Sequence, residues 1–188
     1  MKTEKEKMLS GELYDPLDKQ LSEERMHARS LIKLLNDGCL DQSEEQTSVL
    51  KKLIPNSGKG LWIQPPFYCD YGSNMVLGEK VFFNFNCVVL DLMPVVIGSR
   101  TIIGPNVQIY TATHPLDHKV RALGLEFAKP VIIGEDFWIG GSVVVCPGVS
   151  IGDRAVIGAG SVITKNVPSD VFAAGNPCKI IRALNPDQ

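Results

Sequence analysis

The chain has 188 residues, a formal net charge of −2 and a hydrophobic fraction of 44%, enough for one domain with a sizeable core plus an accessory segment. Charge this close to balance argues against a nucleic-acid or anionic-membrane partner, and no apolar run approaches the roughly 20 residues of a membrane-spanning helix. The N-terminal MKTEKEKMLSGELY lacks the apolar centre of a secretion signal, and Cys39, Cys69, Cys87, Cys146 and Cys178 form no CxxC pair, so reduced thiols in a cytoplasmic protein are expected.

Residues 1–57 are charged, leucine-bearing and almost free of glycine. Ser22 is placed to cap a helix over 23–36 that ends at Gly38, with Leu31, Ile32, Leu34 and Leu35 as its apolar stripe. Ser43 followed by Gln46 fits a capping box for a second helix carrying Val49, Leu50, Leu53 and Ile54, stopped by Pro55. This segment reads as a small helical cap. It serves to cover an open end of the larger C-terminal domain, or to wall a binding cleft through Tyr14, Asp15 and Arg25.

From residue 58 the chain turns β-like, with Trp62, Ile63, Phe67, Tyr68 and Tyr71 around Pro65 and Pro66. The run Phe82-Phe83-Asn84-Phe85-Asn86 sets two amides among aromatics. Each amide reads equally as a turn residue bonding its own backbone, or, at Asn84, as a group that holds a hydroxyl or a developing oxyanion.

An apolar branched residue then returns every sixth position, at Ile133, Ile139, Val145, Ile151, Ile157 and Ile163, and four of these are followed by glycine. Phe137, Val143, Val149, Ala155, Ser161 and Val167 keep a second register four positions later. Six residues turn an α-helix by about 600°, so one helical face cannot hold this pattern. Short strands bent at turns can, and the expected fold is a parallel β-helix in which each rung buries its leader in a central column. The same period is visible earlier at Tyr71, Leu77, Phe83 and Val89, then at Ile97, Ile103 and Ile109. It slips by two residues between Val89 and Ile97. It is interrupted between Ile109 and Ile133 by a segment expected to leave the solenoid as a loop over about 111–130.

That loop holds Thr113-His114-Pro115, Asp117, His118, Arg121 and Glu126, and two of the three histidines in the chain. His114 directly follows a regular rung. A histidine titrates near neutrality and is the usual general base for an alcohol, which works best on a stiff support. Cys146 and Cys178 are weaker candidates as nucleophiles, since Cys146 sits at the second position of a hexad with no histidine near it in sequence.

With the hexads, the Asn-Phe-Asn of 84–86, the Thr-His-Pro of 113–115, the run IGEDFWIG of 133–140, the N-terminal EKMLSGELY of 6–14 and the AAGNPCK of 173–179 in view, the chain resembles the sugar O-acetyltransferases of the hexapeptide-repeat superfamily, on the maltose acetyltransferase side with galactoside acetyltransferases close by. The resemblance implies a mainly β fold, a left-handed parallel β-helix with an N-terminal helical cap over 1–57 and the solenoid over 58–188. It implies a homotrimer with sites at subunit boundaries, acetyl-CoA as co-substrate, no metal, and a small-molecule sugar acceptor modified at a primary 6-hydroxyl. By match to the family, His114 is the catalytic base. Asn84, Asp70, Asp91, Arg25, Glu126 and Asp15 face the acceptor. Trp138, Gly141, Ala159, Thr164, Lys165, Lys179 and Arg182 line the cofactor path.

Without the family, Lys165, Lys179 and Arg182 read as ordinary solvated charge, and Gly141 and Ala159 as small residues needed for tight coil packing. The chain departs from the galactoside type at Leu92, Glu126 and Gly141, where that type has a carboxylate, a methionine and a serine. Glu126 can bond a sugar or orient His114. The competing readings are an acetyltransferase for a galactoside or an antibiotic, a carbonic-anhydrase-like metal trimer, and a scaffold without catalysis. Three histidines, one of them in the cap, are too few for the metal reading.

Overall fold

The computed structural model describes residues 1–38 and 43–184; Cys39 lies outside the described residues. Three helices come first, α1 (Glu4–Leu9), α2 (Lys19–Asp37) and α3 (Glu44–Leu53). Thr3 caps α1 in a reciprocal box with Glu6, a signal the hexads overshadow in the sequence. Helix α2 starts four residues before the position expected from Ser22. Asp18 is its cap, accepting from the Leu21 amide, because the buried stripe already begins at Leu21. Ser43 caps α3 as expected by accepting from the Gln46 amide. Gln46 does not return the bond; its side chain is buried and donates to the Ile63 carbonyl at 3.2 Å, tying the helix to the first rung.

The solenoid winds through coils of three short strands. The first is β1 (Trp62–Ile63), β2 (Phe67–Cys69) and β3 (Met75–Leu77); the second is β4 (Phe82–Phe83), β5 (Cys87–Leu90) and β6 (Val95–Ile97). The third opens with β7 (Ile102–Ile103) and β8 (Gln108–Tyr110), leaves through a loop holding β9 (Ala112–Thr113), α4 (His118–Arg121) and β10 (Phe127–Ala128), and closes with β11 (Val131–Ile133). Coil four is β12 (Trp138–Ile139), β13 (Val144–Val145) and β14 (Ser150–Ile151). The fifth has β15 (Val156–Ile157) and β16 (Val162–Ile163), with Val167 bridging to Ile151. Strand β17 (Val171–Ala174) adds the last parallel rung and β18 (Lys179–Ala183) folds back against it antiparallel. No helix among the described residues is long and apolar enough to cross a membrane.

Stacking the coils makes three parallel faces. Face one is β1-β4-β7-β12-β15-β17, face two β2-β5-β8-β13-β16, and face three β3-β6-β11-β14. The leaders stack in register: Ile63, Phe83, Ile103, Ile139 and Ile157 form one column, and Leu77, Ile97, Ile133 and Ile151 another. Every one is at most 3% exposed, which is the six-residue period made physical. Glycine after a leader lets successive coils approach: a Cβ on Gly98 would lie 2.5 Å from the Glu135 amide nitrogen. At the corners from face one to face two, Asn86 turns the chain at φ 60° and Asn106 at φ 58°, so of the two amides in the aromatic run Asn86 is the turn residue.

The third column corrects one tick of the six-residue period. Its first member is Cys69, paired with Val89, not Tyr71, whose ring is buried in a separate cluster with the cap. Eight positions then separate Cys69 from Leu77, the same interval as from Val89 to Ile97. Both long intervals, and the loop of coil three, fall at the corner between faces two and three. That one corner is enlarged in three successive coils.

Gly98→Ala should be destabilised by about 1–3 kcal/mol, because the added methyl meets backbone that the stack holds in place. Urea unfolding checks it; an unchanged midpoint would show that the coils can separate locally.

Candidate active site

The enlarged corner is built by polar side chains that stitch each coil to the next. Thr111 is fully buried, donates its hydroxyl to the Leu90 carbonyl at 2.6 Å and accepts from the Met93 amide at 3.1 Å. Asp91, one coil back, is also fully buried, and its Oδ1 accepts from the amides of Asp70 and Tyr71 at 3.0 and 2.9 Å. These bonds hold Asp70 at the mouth of a cleft of about 380 Å³. Asp91 itself, expected at the acceptor, is placed inside the corner rather than on the cleft. Its Oδ2 has no partner, and burial raises the carboxyl to about 7, against the pull of the Tyr71 amide and with a push from Asp70.

The cap closes the cleft from the other side. Arg25 on α2 donates to the Tyr71 hydroxyl at 2.8 Å and to the Pro16 carbonyl, with its guanidinium 5.8 Å from the centre of the Tyr71 ring. Burial raises the Asp70 carboxyl while Arg25 draws it back down. Tyr71 is pushed up to about 12 by burial, again opposed by Arg25. Asp15 falls between the cleft residues Tyr14 and Pro16 without lining the cleft itself; its Oδ1 accepts from the Leu17 amide at 2.8 Å. Leu92 is buried and lines the cleft.

His114 enters from the loop. Strands β9 and β10 pair antiparallel with Thr113 opposite Phe127, which sets His114 opposite Glu126. The two side chains approach to 3.9 Å between Nε2 and Oε1. Tyr14 of the cap exchanges backbone bonds with Glu126 at 3.0 and 3.1 Å and donates its hydroxyl to Oε2 at 3.0 Å. Burial, then the Glu126 charge, raises the Tyr14 phenol above its ordinary value, so it stays a donor. A carboxylate held by a tyrosine 3.9 Å from Nε2 of the exposed imidazole is placed to stabilise the imidazolium that a base at this nitrogen becomes.

The cleft therefore gathers Arg25, Asp70, His114 and Glu126, with Asp15 nearby. It also includes Arg29, which no sequence motif singles out; its spacing of four from Arg25 on α2 puts both on one helical face. The other expected residues lie elsewhere. Asn84 follows β4, and Gly141 and Ala159 follow β12 and β15, so all three sit at the corner from face one to face two. Trp138 points outward from face one, 55% exposed, and Lys179 and Arg182 lie on β18 beside that face. Thr164 and Lys165 come just after β16, at the His114 corner but two coils on.

Burial raises both the Cys146 and the Cys178 thiols, which disfavours the nucleophilic thiolate. Among the described residues, no group of three or more His, Cys, Asp and Glu side chains is arranged to hold a metal ion.

A capped parallel solenoid with a polar cleft at one enlarged corner defines a hexapeptide-repeat transferase architecture. Residues 130–165 match the bacterial transferase hexapeptide (six repeats), and residues 7–58 match the maltose acetyltransferase hexapeptide capping motif. The structure is similar to that of a maltose O-acetyltransferase from Clostridium difficile, with a TM-score of 0.96, 44% identity and 98% of each chain covered. It is also similar to a hexapeptide-repeat acetyltransferase of Vibrio cholerae complexed with acetyl coenzyme A, with a TM-score of 0.90, 38% identity and coverage of 98% of this chain and 100% of the other. The galactoside O-acetyltransferase of Escherichia coli is 38% identical over 96% of this chain and 89% of its own. The chain belongs to the hexapeptide-repeat sugar O-acetyltransferase family.

Asp91 supplies a pH signature. Its carboxyl binds a proton in the fold up to about pH 7 but only up to 3.8 when unfolded, so stability falls as pH rises through that window. An asparagine at the same position is neutral throughout. Thermal melts of Asp91→Asn should therefore gain on wild type as pH rises from 3.8 to about 7; a gap that stays constant over that window rules out the buried acid as its source.

Proposed function

We propose that this protein transfers the acetyl group of acetyl-CoA to the 6-hydroxyl of a maltose- or glucose-type sugar, with His114 as general base. The observation that carries the reading is His114 itself, set by β9 opposite Glu126 at the edge of a polar cleft in a chain of this family. Arg25, Asp70 and Glu126 offer donors and acceptors for sugar hydroxyls, and Asp15 adds a carboxylate next to the cleft residue Tyr14. Asp91 acts here by holding Asp70. The apolar Leu92 in the cleft departs from the galactoside type, and Glu126 beside it follows the maltose type.

In the proposed step His114 Nε2 takes the proton of the acceptor hydroxyl as its oxygen attacks the thioester carbonyl. A tetrahedral oxyanion forms, stabilised by Asn84 or by backbone amides. Asn84 spends its Oδ1 on the Phe85 amide at 2.8 Å, which leaves its Nδ2 as the donor. The intermediate collapses with loss of the thiolate, and His114 returns the proton to that sulfur. No covalent enzyme intermediate is involved.

The residues assigned to acetyl-CoA fit an elongated thioester. Gly141 and Ala159 stack in register on adjacent coils, leaving backbone open to the pantetheine, and Trp138 offers an exposed ring. Thr164 adds a hydroxyl, and Lys165, Lys179 and Arg182 supply cations for phosphates. In a single chain His114 and the Asn84–Trp138 group occupy different sides of the solenoid. A homotrimer with each site at a subunit boundary joins them.

Thiol release from acetyl-CoA, followed with a thiol-reactive dye across maltose, glucose, isopropyl-galactoside and a streptogramin, tests the proposal. Turnover should be highest with the glucosides, and His114→Ala should lose at least about a hundredfold while still binding CoA. A near-wild-type rate in that variant would sink the assignment of the base. Light scattering should give three times the 20.6 kDa chain mass; a monomer active at the same rate would refute the shared site.

A further inference from the structure

Of the three corners of the solenoid, the proposed trimer joins two and leaves out the one from face three to face one. That corner carries a ladder of charges. Arg100 pairs with Glu135 and Asp136 at 2.8 and 2.6 Å, and Arg154 pairs with Asp170 at 2.7 Å. At the N-terminal end the compensation stops. Lys80 turns the chain at φ 56°, as Arg100 does one coil later at φ 59°, and its amide donates to the Lys59 carbonyl at 2.8 Å. Neither lysine has an ion-pair partner among the described residues.

A pocket of about 460 Å³ opens here between α3 and the residues leading into β1, a size suited to a small molecule. Leu50, Leu61 and Trp62 supply its apolar surface, Thr47 a hydroxyl, and Lys51 and Lys59 its charge. The Lys51 ammonium donates to the neutral Pro55 carbonyl at 3.2 Å, which leaves its charge uncompensated. The walls are held in place: Gln46 ties α3 to the Ile63 carbonyl, and the Trp62 ring leans on Phe82 with centroids 5.1 Å apart. The pocket shares no residue with the His114 cleft or with the group assigned to acetyl-CoA.

Two unpaired ammonium groups beside an indole suit an anion that carries a flat ring. Glu79 limits how much charge that anion can bring. A Cβ on Gly58 would lie 2.7 Å from the Glu79 amide nitrogen, and the Glu79 carboxylate, also without an ion-pair partner among the described residues, opposes a second negative charge at this corner. We propose that the pocket is a second ligand site, for an aromatic ring bearing a single carboxylate, with the ring against Trp62 and the carboxylate between Lys51 and Lys59.

Calorimetric titration of the full chain with 1-naphthoate tests the site. Naphthoate should bind, and 1-naphthalenemethanol and cyclohexanecarboxylate, which lack the charge and the aromatic ring in turn, should each bind at least about fivefold more weakly. Lys51 and Lys59 are exposed, so their replacement leaves the fold intact. Lys59→Gln should weaken naphthoate by about threefold, and its combination with Lys51→Gln by about tenfold. Trp62→Ala should cost about fivefold, and Trp62→Phe, which keeps a ring, should restore most of it. Saturating CoA should leave the affinity unchanged. Absence of naphthoate binding, equal binding of all three probes, an affinity that the double lysine variant does not move, or displacement by CoA overturns the site.

Discussion

Everything in this protein depends on coils stacking at one fixed spacing with their leaders in line. Each rung is too short to be stable alone; its two to four residues gain order only through pairing with the rungs stacked on them. The columns of Ile, Val, Phe and Leu then run the length of the solenoid as one continuous core. A solenoid held this rigidly can tolerate extra residues only at its corners, and it collects them at one corner over three coils. The cleft is a consequence of that placement.

The cap and the loop complete the corner by local chemistry. Their shared cluster of Met8, Tyr14, Leu21, Tyr71, Leu92 and Ala128 is separate from the main core, so the cleft has its own small apolar support. Across it run the two contacts that join cap to solenoid at the cleft, Arg25 with Tyr71 and Tyr14 with Glu126. Beneath it lies Asp91, a buried carboxylate with one satisfied oxygen. Such a group costs stability, and its two bonds to the amides of Asp70 and Tyr71 are what that cost maintains. The cleft is thus ordered from three directions, by helix, loop and coil.

The division of the expected residues follows from the same geometry. Successive strands of one coil face three directions, so residues following face-one strands and residues following face-two strands cannot meet within a chain. Gly141 and Ala159 stack closely at one corner, while His114, Thr164 and Lys165 share another. A parallel solenoid therefore separates by face the residues that the proposed mechanism brings together, and the proposed trimer is an economical way to reunite them.

The period of six, the break at the loop and the helical character of the first residues are local properties, and the amino-acid order alone determined them. So did the prominence of His114, since Thr-His-Pro after a regular rung is a feature of composition and position. Tertiary structure decided the rest. Tyr71 keeps the period of six counted back from Leu77, yet Cys69 holds the column, because register is set by pairing across coils and not by counting along one. Asp91 has the same type of side chain as Asp70, yet one is sealed in the corner and the other faces the cleft; burial depends on which coil stacks above. Arg29 became part of the cleft only through the packing of α2 against β2, a long-range contact that no local pattern records.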